Sequence, residues 1–527
     1  EAALEVYESV VSRFGDAAEA ALREQVARAL VNTGFVLGEL GHREAAIEVY
    51  ESVASRFGDA AEPALREEVA RALVNKGVAL GQLGQREAAL EVYESVVSRF
   101  GDAAEPALRE QVARALVGKG FALGQLGHRE AALEVFESVV SRFGDAAEPA
   151  LREAVTCALV NQGVVLGELG HREAAIEVYK SVVSRFGDAA EPALREAVAR
   201  ALVNQGVVLG ELGHREAAIK VYESVVSRFG DAAEPALRML VASALVNKGV
   251  VLRELGHREA ALEVYESVVS RFGDAVEPAL RELVARALNY FSQTMLELER
   301  IVDAEAALRR AVERAPEWAS LHNSLGNLLL DYQGDPVAAL AAYGAGLLVA
   351  DNDGKRIFLH ANSAYALALH GGDGLRARQH IEAALTVHAG GVSPAGRCLL
   401  EALPVAPEDG GSDWSAVFRG IGAAVASEDP ALWTVYFDDL QRLLWFVLAH
   451  EQGDTLQRWM ETEDYPLRQA PLYHAVRAAI EGEDHLLRIN PEVRTLAAKI
   501  HAGIARRLAL YGEQTRGGGR KRTSAAR

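Results

Sequence analysis

The sequence predicts an all-α fold, a solenoid of stacked helix pairs closed at its C-terminal end by helices of a different kind. Three observations predict it. The phrase REAA places Glu at positions 44, 87, 130, 173, 216 and 259, a fixed spacing of 43 residues. A period of that size marks a repeat architecture whose units bury their apolar faces only by stacking. Each unit carries helical apolar periodicity twice. At 527 residues the chain is also too long for one core, so an extended array must share the burial.

The elements follow in order. The chain opens on EAALEVYESV, wording that returns from Glu87 and almost unchanged from Glu130. It is therefore expected to enter in mid-repeat, as part of a longer protein. In a complete copy, Val69, Leu73, Gly77 and Leu80 line one face of a first helix, here called A. Ala89, Val92, Tyr93, Val96 and Phe100 line one face of a second, B. Gly84 is placed to end helix A in a left-handed cap. In FGDAAEPALRE, Asp102 or Glu105 is expected to cap the next helix A, with Pro106 in its first turn. Glycine inside a helix costs about 1 kcal/mol relative to Ala, so Gly77 needs a reason. The predicted one is close approach of the two backbones at Gly77 and Ala89.

Gly77, Gly84, Ala89, Tyr93 and Val96, and again Gly120, Gly127, Ala132, Phe136 and Val139, stand at the spacings of a known signature. In these residues the chain resembles the tetratricopeptide repeat family. The family unit is about 34 residues long, and the extra residues lie in GDAAEPALRE, so helix A is expected to be extended at its N-terminal end. Gly81, where the family often has a large aromatic, and a Val where it often has Ala imply a wider inner surface. From Leu288 the wording changes but the pattern persists. Ala304, Leu308, Ala311 and Pro316 complete one unit, and Gly326, Ala339 and Tyr343 belong to the next, with one residue inserted in its turn. Ala364, Ala377, Ile381 and Ala384 form another. The resemblance covers roughly residues 1–389 and implies a right-handed superhelix of bacterial type, with near-identical repeats over 1–288 and divergent ones over 289–389.

Residues 390–511 lack the signature. HAGGVSP and PVAPEDGGSD are loop chemistry, and helices are expected around 412–427, 429–451, 466–483 and 490–511. Four of the five Trp residues (Trp414, Trp433, Trp445 and Trp459) fall here. That concentration predicts a helical cap over the open last face of the array, with an aromatic docking surface as the alternative. The tail over 512–527 is expected to be disordered. Its Arg516, Arg520, Lys521 and Arg522 allow weak contact with an acidic partner or nucleic acid.

Copies within the one chain can be compared, and helix A is where they change in chemical kind. Arg28, Arg71, Arg114 and Arg200 are answered by Cys157 and Ser243. Asn32, Asn75, Asn161, Asn204 and Asn247 are interrupted by Gly118. Phe35 and Phe121 alternate with Val78, Val164, Val207 and Val250. Gln82 and Gln125 alternate with Glu39, Glu168, Glu211 and Glu254, and Arg253 replaces the glycine seen at Gly81. These positions fall close to one stripe of a helix. In the family helix A lines the concave groove, so the resemblance makes the stripe a ladder facing a peptide. Asn offers both a donor and an acceptor to a backbone, and Arg forks onto carboxylates. The opposing reading pairs Arg with Glu of a neighbouring copy and Asn with its own helices. Val74 and Val78 stand where the family's carboxylate clamp has other residues.

Chemistry is sought and not found. His42, His128, His171, His214 and His257 recur one per copy, too far apart to share a metal near 2.1 Å. Two cysteines, Cys157 and Cys398, make neither a disulfide framework nor a zinc site and suit a reducing cytoplasm. His370 beside GGDG is a turn, not a phosphate loop. Lys plus Arg (55) against Asp plus Glu (74) leaves −19, which argues against wrapping nucleic acid. No run of about 18 apolar residues is present to span a bilayer. The expected protein is a cytoplasmic, non-catalytic scaffold without cofactor or metal that binds a protein or peptide. It resembles the sensor end of bacterial multidomain signalling or defence proteins, and the alternative is a spacer with an empty groove.

Overall fold

Every regular element among the described residues is helical. The computed structural model describes residues 2–17, 19–371, 373–386, 394–401, 403, 414–426, 433–450, 452, 455–456, 458–459, 475–476 and 497–511. The tail over 512–527, the PVAPEDGGSD loop, nearly all of the helix expected over 466–483, and the side chains of Trp433 and Cys398 lie outside them.

In chain order the helices are α1 Ala2–Phe14, α2 Ala20–Glu39, α3 Arg43–Phe57, α4 Pro63–Gln82, α5 Arg86–Phe100, α6 Pro106–Gln125, α7 Arg129–Phe143, α8 Pro149–Glu168, α9 Arg172–Phe186, α10 Pro192–Glu211, α11 Arg215–Phe229 and α12 Pro235–Glu254. There follow α13 Arg258–Phe272, α14 Pro278–Glu297, α15 Ile301–Arg314, α16 Ala319–Leu328, α17 Pro336–Val349, α18 Asp353–Ala366, α19 Gly374–Thr386, α20 Pro394–Glu401, α21 Trp414–Ala426 and α22 Trp433–Ala449. A last helix runs over 497–511. The chain divides into two bodies, 1–260 and 261–527, so the division falls inside the near-identical array.

The A helices of the array are 20 residues long, as the extra residues predict, and from α4 onward they begin at proline. Gly84 has φ of +77°. The Gln85 N–H bonds Leu80 O and the Gly84 N–H bonds Gly81 O, both at 3.0 Å, a Schellman ending open to glycine at low cost. At the other end Glu105, not Asp102, holds the N-cap position, and its carboxylate makes no capping bond. It accepts from Arg66 Nη1 at 2.7 Å instead. Gly77 is also explained differently from expectation. A Cβ there would stand 2.5 Å from Cε1 of Tyr93, so the glycine makes room for an aromatic ring of helix B rather than for Ala89. Gly34, Gly120, Gly163 and Gly206 meet Tyr50, Phe136, Tyr179 and Tyr222 in the same way.

Arginines join consecutive copies in the first body. Arg99 Nη2 donates to Gly58 O and Arg142 Nη2 to Gly101 O, each at 2.6 Å. They thereby satisfy orphan carbonyls at the end of the preceding helix B. Arg86 Nε bonds Gln125 Oε1 at 2.8 Å, and Arg129 Nε bonds Glu168 Oε2 at 2.6 Å. In the second body the helices after 394 share a core with the last repeat. Tyr365, Leu369 and Ala384 pack with Leu399, Phe418, Leu444, Trp445, Ile500 and Tyr511. Helix α12 is long and apolar enough to cross a membrane by length and composition, and half of that window is buried in the protein.

Candidate functional site

In the first body, successive A helices pack directly on one another, whereas successive B helices touch little. The A side is therefore the tighter side of the stack. The variable stripe lies there, half in solvent. Phe35 is 57 % and Phe121 54 % exposed, and Val78, Val164 and Val207 stand at 44, 38 and 40 %. That is one open apolar rung on each of α2, α4, α6, α8 and α10, on a face where a folded domain gains nothing from it. A Cβ added at Gly38, Gly81, Gly124 or Gly167 would meet nothing within 4 Å, so free space adjoins the rungs at Phe35, Val78, Phe121 and Val164, whereas Gly210 beside Val207 meets Val251 at 3.9 Å. Arg253 occupies the same position on α12.

The polar members of the stripe are engaged. Gln82 and Gln125 accept from Arg43 and Arg86 of the preceding copy, each at 2.8 Å. Asn75, Asn204 and Asn247 lie near the phenols of Tyr50, Tyr179 and Tyr222 and favour their ionised form. Burial pushes the Tyr50 and Tyr179 phenols up to about 12, against the opposing pull of those amides. Where the asparagine is replaced by Gly118, an added Cβ would lie 2.5 Å from Cζ of Tyr93. Where the tyrosine is replaced by Phe136, Asn161 turns to its own helix and donates to Cys157 O at 2.9 Å. Asn32 is half-buried on α2.

The arginines differ from copy to copy. Arg28 Nε bonds Glu68 Oε1 at 3.2 Å across the copy boundary, and Arg71 Nη2 lies 2.6 Å from the other oxygen. Glu68 is 2 % exposed, and burial pushes its carboxyl up against the pull of those two guanidiniums. Sequence reading missed Glu68, although Gln111, Ala154, Ala197 and Leu240 at the same register mark a buried position. Arg114 reaches only Gln111 and Asn75, at 3.4 and 3.5 Å. Arg200 pairs with Glu196 on its own helix. Cys157 removes the arginine altogether. A recess of about 260 Å³ opens there between α8 and α10, lined by Glu153, Cys157, Asn161, Glu196 and Arg200 among others. Burial raises the Cys157 thiol above its usual range despite Arg200 nearby, which keeps it protonated and a poor nucleophile. Among the described residues, no group of three or more His, Cys, Asp or Glu side chains is placed to hold a metal ion.

A second polar cluster, also unread from the sequence, lies in the second body. Arg442 on α22 donates from Nε and Nη2 to the two oxygens of Asp331, at 3.2 and 2.7 Å. Its Nη1 reaches Asn362 Oδ1 at 2.6 Å, and Nη2 also reaches Asn327 Oδ1 at 3.2 Å. Arg507 adds a contact to Asp331 at 3.1 Å. Burial would raise the Asp331 carboxyl, but the two guanidiniums outweigh it and hold it at about 2. His370 stacks on Trp445 and Tyr511, with ring centroids 4.9 and 4.0 Å away. Burial holds it down at about 3, so it is neutral in the folded protein.

Tetratricopeptide repeat models match residues 70–101, 199–230 and 242–273, and another model of the same family matches 293–355. No curated protein matches the chain. Among solved structures, a tetratricopeptide repeat protein from Parabacteroides merdae is 14 % identical, with 55 % of this chain and 97 % of that one covered at a TM-score of 0.36. The apo quorum sensor NprR from B. thuringiensis is 14 % identical over 68 % of this chain and 99 % of that one, at 0.40. Apo RapI is 10 % identical over 69 % and 97 %, at 0.47. The 43-residue helix pairs, their glycine-on-aromatic contacts and these family matches make the chain a tetratricopeptide repeat protein.

Proposed function

We propose that the A-helix face of the first body binds a peptide or protein segment, and that the chain is a non-catalytic interaction scaffold. The observation that carries this is the ladder of open apolar rungs at Phe35, Val78, Phe121, Val164 and Val207, the first four of them beside free space, with a recess alongside at Cys157. Exposed apolar surface repeated in register costs solubility unless something covers it. The recess at Cys157 breaks the uniformity of the ladder and gives a ligand a fixed register. Arg114 and Arg200 at its flanks suit a segment carrying carboxylates. The apolar rungs supply the grip. Such a scaffold fits a sensor or interaction part of a larger signalling protein.

A spacer role is the second reading, favoured by Gln82 and Gln125 being tied to Arg43 and Arg86. Selection of displayed peptides on the immobilised chain separates the two. Peptides so obtained are expected to lose about tenfold or more in affinity, roughly 1.4 kcal/mol, on a Phe35→Ser, Phe121→Ser, Val164→Ser variant. These side chains are exposed, so the variant's unfolding midpoint should stay close to that of the parent. Peptides indifferent to all three substitutions, or none recovered, would leave the spacer.

A further inference from the structure

The Arg442 cluster sits on the same face of the last repeats that forms the variable ladder in the first body. Gly326 lies against Tyr343 as Gly77 lies against Tyr93, with an added Cβ 2.3 Å from the ring. That contact sets the register. Asp331 then corresponds to Gln82, Asn327 to Val78 and Asn323 to Val74. In the following repeat Ala364 takes the place of Gly77, so Asn362 corresponds to Asn75. Arg442 therefore lies against the A helices where a groove ligand would lie. Three of its nitrogens are held by Asp331, Asn327 and Asn362, and Asn362 is itself braced on Asn323 at 2.7 Å.

We propose that this contact is autoinhibitory: the C-terminal helices are a tethered ligand of the A face of the last two repeats. Their occupancy is exchangeable for an arginine-bearing helix of a partner protein. The inference rests on the reading of the A face as the binding face.

Three features separate it from a purely structural cap. Leu444, Ile500, Ile504 and their neighbours already bury an apolar core there, so a cap needs no buried charge. Two fully buried guanidiniums share the one carboxylate of Asp331, and among the described residues Arg507 Nε has no partner. An arrangement of that kind serves specificity or switching better than stability. Both contact segments, Leu329–Gln333 and Leu367–Gly371, are π-helical turns, an uncommon geometry frequent at functional sites. The resident helix also shows what chemistry the site takes, one arginine among leucine-type residues (Leu440, Leu443, Leu444), with its fork on Asp331.

Hydrogen exchange on the full chain tests this. Amides of 497–511 are expected to exchange through a local opening, faster than those of α14 and α18. Asp331→Asn should speed them about tenfold while leaving α2–α12 unchanged. Should that substitution unfold the second body, Asn327→Ala removes one acceptor and should give a smaller rise in the same amides. A peptide with the sequence of residues 436–450, in excess, should also speed exchange at 497–511, and its Arg442→Ala counterpart should not. Equal protection of 497–511 and the α14 and α18 core would overturn the proposal, as would equal effects of the two peptides. Peptides selected on Phe35, Phe121 and Val164 report the first body alone, so either reading can fail without the other.

Discussion

At the scale of single residues, the two glycines of helix A have opposite reasons to exist. Gly77 carries the ring of Tyr93, and Gly81 carries nothing. Gly77→Ala should gain about 1 kcal/mol of helix propensity and lose more to the displaced ring. The expected net destabilisation is about 1–2 kcal/mol by urea unfolding. Gly81→Ala should stabilise by about 0.5–1 kcal/mol. Opposite signs for one substitution, four residues apart, would confirm that one glycine is sterically required and the other keeps a face open. The need for a small residue at 77 was legible in the sequence, but its partner was not. Ala89 and Tyr93 both stand at helical spacing on B, and only the packed pair shows which of them lies on the glycine.

Between elements, the copies are coupled by arginine. Arg99 both closes a carbonyl of the preceding helix B and lies 5.3 Å from the ring centroid of Phe100. Arg99→Ala is expected to cost about 1 kcal/mol. Adding Arg185→Ala at a separate junction, where Arg185 Nη2 donates to Gly144 O, should cost about as much again, since distant sites add. Because each copy contacts only its neighbours, the loss should broaden the denaturation transition as well as lower its midpoint. A single sharp transition at an unchanged midpoint would show that the apolar interface alone couples the copies. The helix pairs and their caps could be written down from periodicity and glycine placement. The Arg43–Gln82 and Arg28–Glu68 pairs could not, because many arginines and carboxylates recur at equal intervals and a repeated sequence permits several registers of pairing.

For the molecule as a whole, acid should act on the second body first. Folded His370 titrates near 3 against an ordinary value of about 6.5. Between these values the unfolded state binds one more proton than the folded state, so stability falls as pH falls. The expected slope is about 1.4 kcal/mol per pH unit. Asp331 is shifted in the same direction, over a lower pH range. Its folded value of about 2 adds stability above its ordinary value, about 3.9, and that stability is lost as pH drops towards 2. Acid unfolding followed by Trp fluorescence should therefore steepen below about pH 4. His370→Phe, which keeps a ring between Trp445 and Tyr511, should flatten the limb between about pH 6 and 4. An unchanged limb would mean that His370 is not the group responsible.

Period, helix pairing, the left-handed glycine caps and the variable face of helix A all follow from local rules, because each repeat restates them and contacts between neighbours obey one spacing. What the polar side chains of that face do depended on the packed chain. Arg28 is committed to a glutamate 40 residues later, Gln82 to an arginine 39 residues earlier, and Arg442 to an aspartate 111 residues away. A hydrogen bond is decided by distances of a few tenths of an ångström between groups far apart in the chain. Sequence periodicity fixes which face a residue is on, and only tertiary packing fixes which partner it meets there.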